Sequence, residues 1–100
     1  MKVNVQAVNF NVDRKLVDFT QERMDKLEKF YDKIVSSDIF LKVENTSDKE
    51  NKIVEIRINV PGDDLMVKKT AKTFEEAVDS CANSLERVLV KRKEKLRAHV

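Results

Sequence analysis

The chain has 100 residues, of which 41% are hydrophobic and 38% charged, and its formal net charge is +2. This length predicts a single domain spanning residues 1–100, and the hydrophobic share argues against a disordered chain. One cysteine and one histidine exclude an internal disulfide and a zinc site made from those side chains. No apolar run approaches the roughly 20 residues of a membrane span and no signal-peptide pattern is present, so we expect a cytoplasmic protein without membrane contact.

A strand and a long helix are predicted first. Lys2–Ala7 alternates polar and apolar residues, as a half-buried strand does, and the apolar phase shifts at Val8. Asp13 can cap a helix that we expect to run to about Val35. The apolar stripe of this helix recurs at three- and four-residue steps. It comprises Leu16, Thr20, Met24, Leu27, Tyr31 and Ile34.

Three strands are predicted next. Asp38–Asn45 alternates again, and a polar loop over Asn45–Asn51 follows. Val54–Val60 alternates without a break. Pro61–Asp64 is predicted to form a turn, because proline presets φ and glycine supplies a positive φ at the next position. Leu65 then starts the fourth strand.

The second helix is predicted to begin at Thr73, whose hydroxyl can cap it. Glu76, three residues later, completes a capping-box pattern. The predicted buried stripe is Phe74, Ala77, Val78, Cys81, Leu85, Val88 and Leu89. Cys81 is therefore expected to pack as a small hydrophobic side chain.

The order β-α-β-β-β-α predicts an α+β fold with one four-stranded mixed sheet. The first two strands are joined across a helix and should pair in parallel, while the last three should form an antiparallel meander. Each helix has one apolar stripe, so both are expected on one face of the sheet. The other face should be mostly polar, with Phe40, Ile53 and Met66 as apolar exceptions.

Two rows of cations could bind phosphates. The first helix carries Arg23, Lys26, Lys29 and Lys33 beside a row of acids. Such a row is compatible with an ordinary solvated face held by ion pairs, or with phosphate contacts about one helical turn apart. The second helix carries Arg87, Lys91 and Lys95 at steps of four.

The second row belongs to a denser cluster. Residues 84–100 contain six Lys/Arg and two acids, whereas the rest of the chain contains 14 and 16. The cations are Arg87, Lys91, Arg92, Lys93, Lys95 and Arg97. The helix dipole accounts for two or three of them. Arg92 falls in the sector that Cys81 and Leu85 bury, so the helix is expected to pass the sheet edge there and to present its cations to an anionic partner.

Catalysis is not expected. His99 stands next to the last residue and is unsuited to a fixed general-base role. Cys81 lacks the exposure that a nucleophile needs, and one glycine cannot build a phosphate-binding loop. We therefore expect no enzyme activity, no cofactor, no metal and no small-molecule substrate.

The chain resembles the ribosome hibernation-promoting factor and ribosome-associated inhibitor family, also called the sigma 54 modulation protein family. Lys26–Ile34 reads KLEKFYDKI and resembles that family's K-L-E-K/Q-aromatic-aromatic-D-x-I run. Leu41–Glu44 resembles the strand that follows it. Ala77–Asp79, Leu85–Arg87 and Lys91–Lys93 resemble the family's second helix. The similarity spans almost the whole chain in the same element order.

This resemblance implies a fold akin to double-stranded-RNA-binding domains and a small ribosomal subunit as partner. The protein would occupy the channel of messenger and transfer RNA, block initiation and preserve idle ribosomes in stationary phase or under stress. The family's basic positions correspond to Arg23, Lys26, Lys29, Arg87, Lys91 and Lys93. With Lys33, Arg92 and Lys95 from the two rows, they form the predicted RNA-binding set. The chain resembles the short members, which lack a dimerising C-terminal domain, and is expected to be monomeric off the ribosome.

The sequence departs from the family at three places in the second helix. Glu75 stands where a tyrosine is usual, Ser84 where a lysine is usual, and Val88 where a glutamine is usual. The basic surface of this helix is therefore concentrated at its end. An alternative function is a protein-interaction module that forms a homodimer through the open sheet face.

Overall fold

The computed structural model describes residues 1–45, 47 and 49–97. Its elements are β1 (Lys2–Val8), α1 (Arg14–Phe30), β2 (Ser36–Val43), β3 (Lys52–Val60), β4 (Asp63–Ala71) and α2 (Phe74–Arg97). The described strands form a sheet in the order β1-β2-β3-β4, in which β1 and β2 are parallel and the other neighbours antiparallel. The predicted α+β architecture, β-α-β-β-β-α around a mixed four-stranded sheet, is confirmed.

A cross-strand row in the middle of the sheet carries much of the core. Val5 pairs with Ile39, Ile39 with Ile56, and Ile56 with Val67. Successive side chains of a strand point to opposite faces, so all four lie on the same face, the one that the helices cover. The central pair is fully buried, and the edge residues are half-buried. The largest fully buried helix side chains over this face are Met24, Leu27, Leu85 and Leu89.

The first helix ends earlier than the sequence predicts. Its cap is Tyr31, at φ −139° and ψ 101°, and not a residue near Val35. The reason lies in the sheet: the Val35 carbonyl accepts a hydrogen bond from Lys2 N, and Val35 N donates one to Asn59 O. These bonds tie Val35 to the neighbouring strands, so the helix must stop before it. Tyr31 and Ile34 are nevertheless buried as predicted, whereas Lys33 lies in a turn.

Strand boundaries differ from the predictions by about two residues. The second strand begins at Ser36 and ends at Val43, and not over Asp38–Asn45. Part of the predicted loop, Thr46 and Asp48, lies outside the described residues. In the last hairpin the turn has two residues, because Val60 pairs directly with Asp63. Gly62 has the predicted positive φ, +80°.

The second helix is capped as predicted, but its buried face is rotated about the helix axis relative to the predicted apolar stripe. The Glu76 amide donates to Thr73 Oγ1 at 3.1 Å, while the reciprocal bond of a full capping box is not present between these described residues. Val88, predicted in the buried stripe, is 38% exposed, and Ala82 is fully buried instead. Ala82 and Leu89 lie on the flank of α2 nearer α1, so contact with α1 turns the apolar stripe away from Val88.

The sheet face opposite the helices is polar with apolar exceptions, as predicted. Asp38 pairs across the strands with Arg57, and Arg57 with Met66. The Asp38 carboxylate accepts a hydrogen bond from Asn4 Nδ2 at 3.1 Å. Met66 is 56% exposed, while Phe40 is partly covered by its neighbours.

Candidate RNA-binding surface

The two helices lie side by side and run in the same direction. At their beginnings, the ring of Phe10, which precedes α1, stacks on Phe74 with centroids 5.2 Å apart. Arg23 contacts Asp79 further along, and Lys93 contacts Phe30 near the ends. Cations from both helices are therefore presented on the same side of the molecule, opposite the open sheet face.

Arg23, predicted to bind RNA, is used in the contact between the helices. Its Nε donates to Asp79 Oδ1 at 2.8 Å, and its Nη2 donates to Asn83 Oδ1 at 2.7 Å. The Arg23 side chain is only 13% exposed, whereas Asp79 is 54% exposed. The guanidinium therefore joins α1 to α2, and two of its donors already have acceptors within the protein.

Arg92 is also held within the protein. Its Nε donates to the Tyr31 hydroxyl at 3.2 Å and its Nη2 to the Pro61 carbonyl at 2.7 Å. Its Nη1 lies 3.5 Å from Asp63 Oδ2. The expectation that α2 passes the sheet edge at Arg92 and presents this cation to a partner is wrong for Arg92 itself, because its guanidinium contacts Tyr31 after α1 and the β3–β4 turn.

Lys93 caps the C-terminal end of the first helix. Its Nζ donates to the Phe30 carbonyl at 2.9 Å and lies 4.8 Å from the centre of the Phe30 ring. The last carbonyls of a helix lack partners within the helix and carry partial negative charge, so a cation there is favourable. Lys93, like Arg92, has a structural role that the sequence pattern did not predict.

The other predicted cations are exposed to solvent. Within the part of the chain that the structure describes, they form no ion pair. They are Lys26, Lys29, Lys33, Arg87, Lys91 and Lys95. Arg87 Nη2 donates to Ser84 Oγ at 3.3 Å, a long bond that leaves its other donors available. We call these six residues the exposed cations.

The acids of α1 do not neutralise its cations by direct pairing. Among the described residues, Arg14–Asp18 at 3.6 Å is the one ion pair within α1. Asp25 accepts a hydrogen bond from Gln21 Nε2 at 2.9 Å, and Glu28 pairs with the amino group of Met1. The alternative of a face held by ion pairs is therefore not supported at Lys26 and Lys29.

Five of the exposed cations form two rows on the helices, and the sixth, Lys33, lies in the turn after α1. On a helical wheel, Lys91 lies about 120° around α2 from Asp79, the residue that faces α1. Arg87 and Lys95 lie on the same flank as Lys91, at steps of four. Lys26 lies about 60° around α1 from Arg23 on the solvent side. The contact between the helices thus lies between an α1 row and an α2 row.

Cys81, one of the two side chains considered for catalysis, lies in the core. Cys81 is fully buried, its Sγ lies 3.4 Å from the Val54 carbonyl oxygen, and burial raises the pKa of its thiol to about 11. It packs in the core, as predicted, and is protonated at neutral pH. Among the described residues there is no group of three or more metal-ligating side chains and no helix suited to span a membrane. His99 and the side chain of Arg97 lie outside the described part.

The contacts of Arg92 were missed by sequence reasoning, although a signal for them exists. Tyr31 belongs to the predicted buried stripe, and a buried tyrosine hydroxyl usually has a hydrogen-bond partner. Arg92 falls in the predicted buried sector of α2, where a guanidinium also needs acceptors. These two requirements together predict a contact between Tyr31 and Arg92.

Comparisons with known proteins place the chain in a family. The profile of "Sigma 54 modulation protein / S30EA ribosomal protein" matches residues 3–97. The chain is 30% identical over 95 residues to a ribosome hibernation promoting factor of Pseudomonas putida, covering 95% of this chain and 89% of the relative. It is 30% identical over 99 residues to the factor of the same name from Klebsiella oxytoca, covering 99% and 100%.

The fold is similar to that of a solved ribosomal subunit interface protein from Coxiella burnetii. The TM-score is 0.83 at 20% identity, and the alignment covers 94% of this chain and 99% of that one. This likeness supports the described architecture. Since the family profile matches nearly all of the sequence, the chain belongs to the sigma 54 modulation protein / S30EA ribosomal protein family.

Proposed function

We propose that this protein is a ribosome hibernation factor that binds the small ribosomal subunit and occupies the channel of messenger and transfer RNA. The names of the Pseudomonas and Klebsiella relatives support the hibernation role. The observation that carries the RNA-binding part is the row formed by Arg87, Lys91 and Lys95, which is exposed and forms no ion pair with the described residues. The fold does not need these cations, so an anionic partner accounts for them best.

The proposed mechanism is occlusion. Each exposed cation can neutralise a phosphate of ribosomal RNA and release a counterion, so binding is driven by electrostatics and weakens steeply with salt. Phosphate contacts position a protein without reading sequence. A domain held in the channel excludes messenger and transfer RNA by volume alone. No chemical step, cofactor or metal is required, and we propose that the protein acts as a cytoplasmic monomer of one domain.

The α2 row is proposed as the main contact. Lys26 and Lys29 lie on a helix that also presents exposed Glu22 and Asp25, which lower the positive potential around them. Helical spacing places one acid, Glu94, on the flank of the α2 row, and no carboxylate of the described residues forms an ion pair with this row. Phosphates should therefore be attracted more strongly to α2.

Co-sedimentation tests the proposal. Purified protein is mixed with small ribosomal subunits in low-salt buffer containing magnesium and separated on a sucrose gradient. We expect it to migrate with the subunits, and the double variant Arg87→Glu/Lys91→Glu to stay at the top. Lys42→Glu/Lys68→Glu makes the same charge change on the open sheet face and should still co-sediment.

Two results would contradict the proposal. Wild-type protein that stays at the top of the gradient would exclude ribosome binding under these conditions. Equal loss of binding in both double variants would mean that net charge matters and that the α2 row is not a specific contact. A displacement assay with messenger RNA and initiator transfer RNA then separates channel binding from binding elsewhere on the subunit, because only channel binding is competitive.

The alternative function is a homodimer formed through the open sheet face. Met66 is 56% exposed there, and Val8, Phe40 and Ile53 line a shallow depression on the same face. Light scattering of the pure protein distinguishes the two functions. A dimer that persists at high salt and is lost in Met66→Glu would favour the alternative, whereas a monomer would exclude it.

A further inference from the structure

Arg92 joins three separate parts of the fold. It contacts Tyr31 after α1, Pro61 in the β3–β4 turn and Asp63 at the start of β4. Two of these contacts are hydrogen bonds from different nitrogens of one guanidinium, a planar group whose donors have fixed relative directions. Arg92 therefore fixes both the position and the direction of α2 at this point.

The α2 helix has few attachments beyond Arg92. Lys93 donates to the Phe30 carbonyl, and the following side chains Glu94, Lys95 and Leu96 are exposed. Arg92 and Lys93 are thus the last described residues through which α2 hydrogen-bonds to the rest of the fold. Two of the exposed cations, Lys91 and Lys95, flank this attachment in the sequence.

We propose that Arg92 is a positioning residue for RNA binding: together with Tyr31 it holds the end of α2 so that Lys91 and Lys95 face the phosphates. This inference rests on the proposed function. A helix end without tertiary contacts frays, and the cost of ordering it would then fall on the binding step and weaken affinity. We call the contacts of Arg92 with Tyr31, Pro61 and Asp63 the clasp. When the clasp is formed, Lys91 and Lys95 are already ordered before RNA binds.

The geometry opposes a direct phosphate contact by Arg92. Its side chain is only 23% exposed. In its present position the guanidinium has Nη1 beside the Asp63 carboxylate, which would repel a phosphate, and if it swung out it would leave the Pro61 carbonyl and the Tyr31 hydroxyl. Tyr31 is 3% exposed, so its hydroxyl would lose a partner in a site with little access to water, and such a loss is unfavourable.

Two mild substitutions test the proposal by removing the clasp without changing the net charge. Arg92→Lys keeps the cation but loses the forked donor, and Tyr31→Phe removes one buried hydroxyl and leaves every cation of the chain in place. We expect each to weaken binding to small subunits by roughly tenfold, the order of the cost of fixing a few long side chains on binding. The double variant should bind about as weakly as either single one, because residues that act through one contact are not additive.

The salt dependence of binding distinguishes positioning from phosphate contact. In a plot of log affinity against log salt, each lost phosphate contact lowers the steepness by about 0.7–0.9. Lys91→Gln should show this decrease. Arg92→Met should weaken binding at the wild-type slope, because no phosphate contact is removed. Amide hydrogen exchange in the last turns of α2 should accelerate in Tyr31→Phe, and thermal unfolding shows that each variant is folded at the assay temperature.

Several outcomes would overturn the inference. If Arg92→Lys and Tyr31→Phe bind like wild type, the clasp does not position the cations, although the proposed function stands. A lower salt slope in Arg92→Met would make Arg92 a phosphate contact. Failure of the wild-type protein to bind small subunits would overturn the proposed function and this inference together.

Discussion

The Nε of Arg23 in α1 donates to Asp79 Oδ1 in α2 at 2.8 Å, across the contact between the two helices. Asn83, one turn further along α2, accepts a second bond from the same guanidinium at 2.7 Å. A cation that the sequence assigns to RNA binding is thereby used to set the distance between the two rows of exposed cations. Arginine suits this role because its fork can engage two acceptors at once.

Asp79→Asn should therefore lower the stability of the fold. We expect a decrease in the free energy of unfolding of about 0.5–1 kcal/mol, because Asp79 is largely exposed and the ion pair is partly screened by solvent. Urea denaturation at low salt measures it, and the effect should shrink at high salt. Glu22→Gln is the control, since Glu22 is an exposed α1 acid outside the described ion pairs. An equal decrease in the free energy of unfolding of the control would show that the Arg23–Asp79 pair makes no specific contribution to stability.

The two rows of exposed cations should contribute unequally to binding. We expect Arg87→Gln/Lys91→Gln to reduce affinity for small subunits more than Lys26→Gln/Lys29→Gln, because exposed Glu22 and Asp25 accompany the α1 row. Both double variants lose two charges, so net charge is matched. Affinities measured by filtration binding over a range of salt concentrations give the comparison. A larger loss from the α1 variant would reverse the proposed order of the two rows.

The roles of the individual cations show which features of the structure the sequence predicts and which it does not. Strand alternation and helical periodicity predict the order of the elements, the sheet and the burial of Cys81, because these depend on local patterns. They also place Arg87, Lys91 and Lys95 on one flank of α2. Periodicity cannot distinguish Arg92 from them, since its acceptors belong to Tyr31 after α1 and Pro61 in the β3–β4 turn, 61 and 31 residues away in the chain.

The predicted end of α1, near Val35, is wrong for a similar reason. Tyr31 and Ile34 continue the helical spacing of the buried stripe, and both are buried. Both residues in fact lie after the end of α1, in the segment that leads to β2. The helix cannot extend to them, because Val35 is hydrogen-bonded to Lys2 of β1 and Asn59 of β3. An apolar spacing of three can fit either conformation, and only the long-range strand pairing decides between them.

Cys81 should make stability depend on pH in the alkaline range. Burial raises the pKa of its thiol from 9.0 to about 11, so the unfolded chain releases this proton at lower pH than the folded protein. The corresponding stability is fully present below about pH 9 and is lost as pH rises through about 11. The free energy of unfolding should fall by at most about 3 kcal/mol, because the thiol pKa rises from 9.0 to about 11 and each pKa unit corresponds to about 1.4 kcal/mol.

Urea denaturation at pH 8 and pH 10.5 measures this effect. Lysine side chains also titrate in this range, so Cys81→Ala is the necessary control, and the difference between the two proteins isolates the thiol. Native Cys81 should also resist alkylation at pH 8 and react once urea unfolds the chain. Identical pH dependence in wild type and Cys81→Ala would refute the buried-thiol explanation.

Val88 and Leu89 are neighbours in α2 that should respond very differently to substitution. Val88 is 38% exposed and Leu89 is fully buried, although both occur in the predicted apolar stripe. Val88→Gln should change the free energy of unfolding by about 0.5 kcal/mol or less, as surface substitutions usually do. Leu89→Ala should cost about 2–5 kcal/mol, since it leaves a cavity in the core near α1.

Thermal and urea unfolding of the two variants tests the rotation of α2 directly. If Val88→Gln were as destabilising as Leu89→Ala, the buried face would be the one that periodicity predicts, and the contact between α1 and α2 would be wrong. A neutral Val88→Gln would instead place residue 88 on the same solvent-facing flank as Arg87 and Lys91. The glutamine could then add a hydrogen-bond donor beside the α2 row, so ribosome binding by this variant should be retained or slightly stronger.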